Sequence, residues 1–527
     1  MNDSLQEINK LLNSGQFYKA LNLTNSILPK YPQNKTLIKF LAQIYFKLDD
    51  YYKAIDTLSS NYDDNKSDFD FNNNLGFYLV HIEKYHEALK YIDIAKKIKK
   101  DAPTPYQNEG ECYIYLKDFN LAEKSIEQSI SLYEEKKRPY QEYYSVLILR
   151  IQIFLAKNDR SGAIKFIKKY LNKNIIPELV LQLSEIDSSQ ITDEIINQIN
   201  DKLKQNVYSS IMAKFYEVVP YYFALANYYE YFKDHEKAEA NYLQGNKEIF
   251  NIQRYNVIRN QKKIIEMIDV FEKNHNFNPP ENENYQRRIF IVGMPRSGTS
   301  LLESIITAND YVFAAGELKS FDLLYDKYIA TGDFNIDESF SHVGKEYNAI
   351  TNSMKGDYPA IVDKMPGNYH FMGFILKCLP GAKIILLKRN HWDIAISLFK
   401  QRYASNIPYA SSFFNIGVYI ANFEAICSFW MKNRAISEKV LVIEYEELVT
   451  KSDQITQKVY DHCKIGSSYD PDVREKHFAK TASINQVGKK INTSSVMKKD
   501  FISQKNEFLE AYESQKEFWK LKGIEIR

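Results

Sequence analysis

The stretch IFIVGMPRSGTSLLESII, residues 289–306, sets an apolar run, a glycine loop and an amphipathic pattern in direct succession. Within it, Gly293-Met-Pro-Arg-Ser-Gly298-Thr299-Ser300 has the spacing of a phosphate-binding loop. The backbone N–H groups of such a loop, with a helix N-terminus behind them, form a cradle for an anion. Glycine permits the positive φ and the close ligand approach that the cradle needs. Thr299 stands where the loops of nucleoside triphosphatases carry lysine, which reaches the β- and γ-phosphates. That replacement argues against an ATPase, a GTPase or an ordinary kinase. Arg296, inside the loop, supplies a permanent bidentate cation instead. Further along, Arg389 and Ser397 are spaced so that an Arg at a strand end and a Ser two helical turns later converge on one phosphate. Glu317 is a carboxylate that can accept a hydroxyl proton if it lies within hydrogen-bond reach, and His370 and His391 rival it as bases by residue type.

These side chains need a scaffold. Arg288–Gly293, Tyr358–Asp363, Lys383–Lys388 and Lys439–Glu444 are short apolar runs that predict buried parallel strands, with helical patterns between them. The alternation predicts an α/β domain over 288–527 whose ligand sits beyond the strand C-termini. An Asn-, Glu- and Pro-rich stretch at 272–287 predicts a linker. Before it, the chain repeats itself. Ala20, Ala54, Ala88 and Ala122 recur every 34 residues, each after a polar-aromatic turn, and Ala42, Gly76 and Gly110 recur in the same register. Small residues at both positions let paired helices approach closely while neighbouring aromatics fill the groove. The pattern resembles the tetratricopeptide repeat (TPR). The expectation is an all-α TPR solenoid over 1–271. Clear repeats run to about 135, an irregular helical region follows at 140–215, and a further unit lies at about 216–250. The concave face of such an array commonly binds protein or peptide.

The chain has 527 residues, with 69 Lys+Arg against 67 Asp+Glu and a formal charge of +2. That balance gives no global reason to expect nucleic acid. Forty Tyr and 31 Phe against 18 Gly and 15 Pro favour long packed helices over a loop-rich sandwich. Four scattered cysteines form no disulfide framework or zinc motif and fit a reducing compartment. The polar N-terminus and the lack of any run of eighteen apolar residues predict neither a signal peptide nor a transmembrane helix. The expectation is a cytoplasmic protein without a metal, for which homo-oligomerisation stays open.

The segment PRSGTS after an apolar strand resembles the 5′-phosphosulfate loop of sulfotransferases that use 3′-phosphoadenosine 5′-phosphosulfate (PAPS). Four further segments match in the family's order, over roughly 287–500, and the variant is similar to protein-tyrosine sulfotransferases. The resemblance implies that PAPS is the co-substrate. It assigns Glu317, in the Gly-Glu pair, as catalytic base, and Lys364, in Lys-Met-Pro, as the residue neutralising charge on the departing oxygen. Arg296, Ser297, Gly298, Thr299 and Ser300 would hold the 5′-phosphate, and Arg389 and Ser397 the 3′-phosphate, with Lys400 or Arg402 as a supplement. Tyr445, in Tyr-Glu-Glu-Leu, would line the nucleotide pocket, and Ser494, in Thr-Ser-Ser, would belong to the loop that covers it. The family commonly has Asp where Asn390 stands. The acceptor implied is a hydroxyl, a protein or peptide tyrosine ahead of a saccharide or small metabolite. A non-catalytic TPR adaptor and an unusual phosphoryl-transferring kinase are the rival readings.

Overall fold

The computed structural model describes residues 2–526 apart from 206–207, 209, 275–286, 309–310, 333–334, 404–406 and 467–499. The chain divides into two compact units. One comprises Met1–Ile153 with Leu323–Thr331 and Glu346–Met354, and the other comprises Phe154–Asp322, Gly332–Lys345 and Lys355–Arg527.

The first unit is built from antiparallel helix pairs: Asn2–Asn13 with Phe17–Ile27, Lys35–Lys47 with Tyr51–Ser59, Phe69–His81 with Tyr85–Ile98, and Pro103–Tyr115 with Phe119–Glu135. Ala20, Ala54, Ala88 and Ala122 are fully buried at the contacts between helices. At Gly76 and Gly110 a Cβ would come within 2.6 Å of Ile92 and Ile126 side-chain atoms, so these pairs pack closely enough that a larger residue would require those side chains to shift. The turns within the pairs share a residue at positive φ, and two of them also share an aspartate cap. Asp49, Glu83 and Lys117 take positive φ, and Asp50 and Asp118 cap the following helices by accepting from Lys53 and Leu121 backbone N–H groups. Two segments from further along the chain complete this unit. Lys327 Nζ lies 4.1 Å from the Tyr52 ring centroid, Lys84 Nζ is 3.2 Å from Glu346 Oε1, and His86 Nε2 is 3.0 Å from the Ser353 carbonyl.

The second unit holds a five-stranded sheet. Its strands are β1 (Arg287–Gly293), β2 (Val312–Gly316), β3 (Ala360–Asp363), β4 (Lys383–Lys388) and β5 (Val440–Glu444), all parallel, in the order β2-β3-β1-β4-β5. Ile289, Ile291, Val362, Ile385, Leu387 and Ile443 form its buried interior. The four predicted strands are present, and β2 is an addition. Its Val-Phe-Ala-Ala-Gly sequence is short and ends in three small residues, so it carries little apolar signal. The helices Pro177–Asp187, Val219–Tyr231, His235–Ile252 and Val257–Glu272 lie in this same unit. All four cysteines are buried and unbridged, and no helix among the described residues is long and apolar enough to cross a membrane.

Candidate active site

Each strand's C-terminal end delivers one of the motifs. β1 runs into the 293–300 loop, β2 into Glu317, β3 into Lys364, β4 into Arg389 and β5 into Tyr445. This is the edge of a parallel sheet where ligands bind.

The loop has the backbone of an anion cradle. Arg296 takes φ +71° and Gly298 φ +101°, and Gly298 is the N-cap of the helix Thr299–Ile306. A Cβ on Gly298 would stand 2.4 Å from the Tyr445 ring, so that position must be glycine for two separate reasons. Ser297 is wholly buried and its hydroxyl has no hydrogen-bond partner among the described residues. Thr299 and Ser300 are also buried in the first turn.

A cationic cluster surrounds the loop. Arg296 Nε donates to Ser397 Oγ at 3.0 Å, and an Arg389 Nη donates to the Arg296 carbonyl at 2.8 Å. The Arg389 guanidinium lies 4.4 Å from the centroid of the Tyr445 ring, a cation–π arrangement. Burial pulls the Arg389 pKa below the ordinary guanidinium value. Asn390 caps the helix His391–Phe399, its side-chain oxygen accepting from the Trp392 and Asp393 N–H groups at 3.0 and 3.1 Å. Asparagine thus fixes the start of the helix that carries Ser397, as Asp would. The structure brings Arg296, Arg389, Ser397 and Tyr445 together.

Glu317 and Lys364 meet because their strands are neighbours. Gly316 pairs with Asp363, and Lys364 N–H donates to the Gly316 carbonyl at 2.8 Å. Lys364 is fully buried and its Nζ is 2.5 Å from Glu317 Oε1, whereas the Glu317 side chain keeps 37% of its surface exposed. Asp363 shapes the turn below by accepting from Met365 N–H and Asn368 Nδ2.

Other candidates are occupied elsewhere. Lys400 Nζ pairs with Glu230 at 2.8 Å and Asp500 at 3.2 Å, and Arg402 pairs with Glu178 at 2.9 Å. Both cations already have carboxylate partners. His370 Nδ1 contacts the Gly367 carbonyl at 3.0 Å, and burial depresses its pKa to about 4. His391 Nε2 lies 3.0 Å from Glu424, which also accepts from Tyr512. Ser494 falls outside the described residues, as does most of the 272–287 linker. No group of three or more His, Cys, Asp or Glu among the described residues is arranged to hold a metal.

Two residues near the loop escaped the reading of the sequence. Glu185, on the helix Pro177–Asp187, accepts from Gln401 Nε2 at 3.2 Å, and Arg296 is among the charges acting on it. Its carboxyl is pushed up to about 7 by burial and by Glu178, against the opposing Gln401, Arg402 and Arg296. Tyr403 follows Arg402 and has a buried hydroxyl. Neither residue type carries a spacing signal, and only the packing of distant segments brings them here.

Residues 288–470 match the model of the sulfotransferase family. An uncharacterised protein of Aquifex aeolicus is 26% identical over 450 residues, which cover 74% of this chain and 56% of that protein. The chain therefore spans little more than half the length of the curated relative it matches. Among solved structures, the sulfotransferase domain of the Synechococcus olefin synthase aligns at 14% identity over 46% of this chain and 98% of that one, with a TM-score of 0.31. A thermophilic TPR protein of Thermus thermophilus aligns at 17% identity over 33% of this chain and 91% of that one, with a TM-score of 0.29. Residues 288–470, which hold the phosphate loop and nearly all of the parallel sheet, thus match the sulfotransferase family model and follow a region of paired helices.

Proposed function

We propose that the chain moves a sulfuryl group from PAPS to an acceptor hydroxyl. The observation that carries this reading is the convergence of Arg296, Arg389, Ser397 and Tyr445 at one strand edge, with the Glu317–Lys364 pair on the neighbouring strand ends. The residues suit the nucleotide. Gly298 keeps the cradle open at a position where a Cβ would collide with Tyr445, and the buried Ser297 hydroxyl is a donor with no partner among the described residues. The loop amides with Arg296 would hold the 5′-phosphate, and Arg389 with Ser397 the 3′-phosphate. When bound, PAPS supplies the activated sulfuryl group. Glu317 takes the acceptor's proton as its oxygen bonds to sulfur. Lys364 donates to the oxygen that leaves with the nucleotide and offsets the charge growing there. The acceptor is a protein or peptide tyrosine presented by the helical array, which the likeness to the tyrosine-type enzymes supports. The four unbridged cysteines support a cytoplasmic setting.

Calorimetry with adenosine 3′,5′-bisphosphate and ADP tests the nucleotide assignment. The 3′-phosphate compound is expected to bind at least tenfold more tightly, and Arg389→Ala to erase that preference. Equal affinity in the parent protein would sink the assignment. Transfer of labelled sulfate from PAPS into lysate fractions of protein, glycan and small molecules then identifies the acceptor class.

A further inference from the structure

Between Ser397 and the next helix, three successive side chains are tied down by residues of the preceding helical region. Lys400 is held by Glu230, and Asp500 joins the same ammonium. Gln401 donates to Glu185. Arg402, 2% exposed, is held by Glu178 and donates to the Phe215 carbonyl at 3.3 Å. Nothing in the chemistry of phosphate binding requires this anchoring, because it turns two cations away from the nucleotide and onto carboxylates. Its effect is to fix the next residue, Tyr403.

The Tyr403 hydroxyl is shielded from solvent and has no hydrogen-bond partner among the described residues. A buried hydroxyl left unpaired costs about 1–3 kcal/mol, which a fold tolerates where a ligand completes the bond. Burial raises the phenol's pKa, so it stays protonated at neutral pH, a donor and not an anion. The two charges that act on it are Arg296 and Glu317. Arg296 marks the phosphate end of the proposed reaction and Glu317 the acceptor end. What passes between those ends is the sulfuryl group, whose three oxygens are acceptors only.

We infer that Tyr403 is a further catalytic residue, its hydroxyl donating a hydrogen bond to the sulfuryl group during transfer. The inference rests on the sulfotransfer reading above. No proton leaves the phenol. The acceptor oxygen–sulfur bond forms, the sulfur–bridging oxygen bond breaks, and the acceptor proton goes to Glu317. A donor aimed at developing charge in a buried site commonly supplies two to three orders of magnitude in turnover.

Tyr403→Phe removes one oxygen and keeps the ring. Without nucleotide, the variant is expected to melt no lower than the parent, because the deleted hydroxyl has no hydrogen-bond partner among the described residues. Its affinity for adenosine 3′,5′-bisphosphate, which lacks the sulfuryl group, should stay within twofold. Its affinity for PAPS should fall several-fold, and kcat by about 10². A lower melting temperature would make Tyr403 structural, and weakened bisphosphate binding would make it a nucleotide clamp. Unchanged PAPS affinity and turnover would remove it from the reaction. Each of these overturns the inference while leaving sulfotransfer intact. A parent protein that binds neither nucleotide overturns both.

Discussion

Lys364 is buried to the last atom, and the partly exposed Glu317 is its partner. An ammonium taken out of water needs such a partner, so the pair holds the lysine in place before any substrate arrives. The carboxylate's second oxygen is left for other work. Glu317→Gln keeps the shape and a hydrogen-bond acceptor for Lys364 but cannot take a proton. We expect kcat to fall roughly 10²–10⁴-fold with nucleotide affinity retained, as measured by steady-state transfer and calorimetry. Full activity in this variant would exclude Glu317 as the base. Gly298 is the other residue on which the site turns. Gly298→Ala meets both a φ of +101° and a ring 2.4 Å away. The backbone strain alone costs about 1–3 kcal/mol. Calorimetry should show bisphosphate binding lost, and retained affinity would mean that the loop does not form the cradle.

The helix Pro177–Asp187 contributes two carboxylates to the region of the site, and they behave differently. Glu178 neutralises the buried Arg402. Glu178→Ala would leave that guanidinium without its carboxylate and should destabilise the protein by about 3–5 kcal/mol, read as a drop in the urea midpoint. Glu185 is instead pushed up to about 7 by burial, above the ordinary carboxyl value of 4.5. Between those values the folded protein binds more protons at this site than the unfolded chain does. Its contribution is therefore complete at pH below about 4.5 and is lost as pH rises through about 7. Glu185→Gln should flatten the fall in stability between about pH 4.5 and pH 7, and identical pH profiles for parent and variant would count against the shift. The sequence announced neither role. The irregular helical region over 140–215 was legible, but which carboxylate meets which cation depends on chain segments some 200 residues apart. The loop, Lys364, Arg389 and Tyr445 were legible because each follows an apolar strand at a fixed offset. β2 was not, since Ala-Ala-Gly lacks the branched side chains that mark a strand, although Gly316 and Glu317 flagged its end.

At the scale of the whole chain, the domain that carries the motifs does not close over itself. The helix Val257–Glu272 sets Phe271 against the buried Trp430 with ring centroids 4.7 Å apart, and Asn260 Oδ1 accepts from Asn422 at 2.8 Å. Gln261 donates to Gln515 at 3.0 Å on the C-terminal helix Lys505–Leu521. Asn246, from the helix His235–Ile252, donates to the Phe399 carbonyl at 2.8 Å. A fragment beginning at residue 288 would lose all four partners together with Glu178 and Glu230, exposing an indole and leaving Arg402 without its carboxylate. Losses of this kind, each on the order of 1–5 kcal/mol, together match or exceed the roughly 5–15 kcal/mol by which whole domains are stable. The 288–527 fragment should therefore show no cooperative thermal transition, and its tryptophan emission should be red-shifted relative to the full chain. All three tryptophans, Trp392, Trp430 and Trp519, lie within the fragment, so the comparison reads the same fluorophores in both proteins. A sharp melt with unshifted emission would show that the α/β domain folds without the helices before it, and would make their packing incidental to the site.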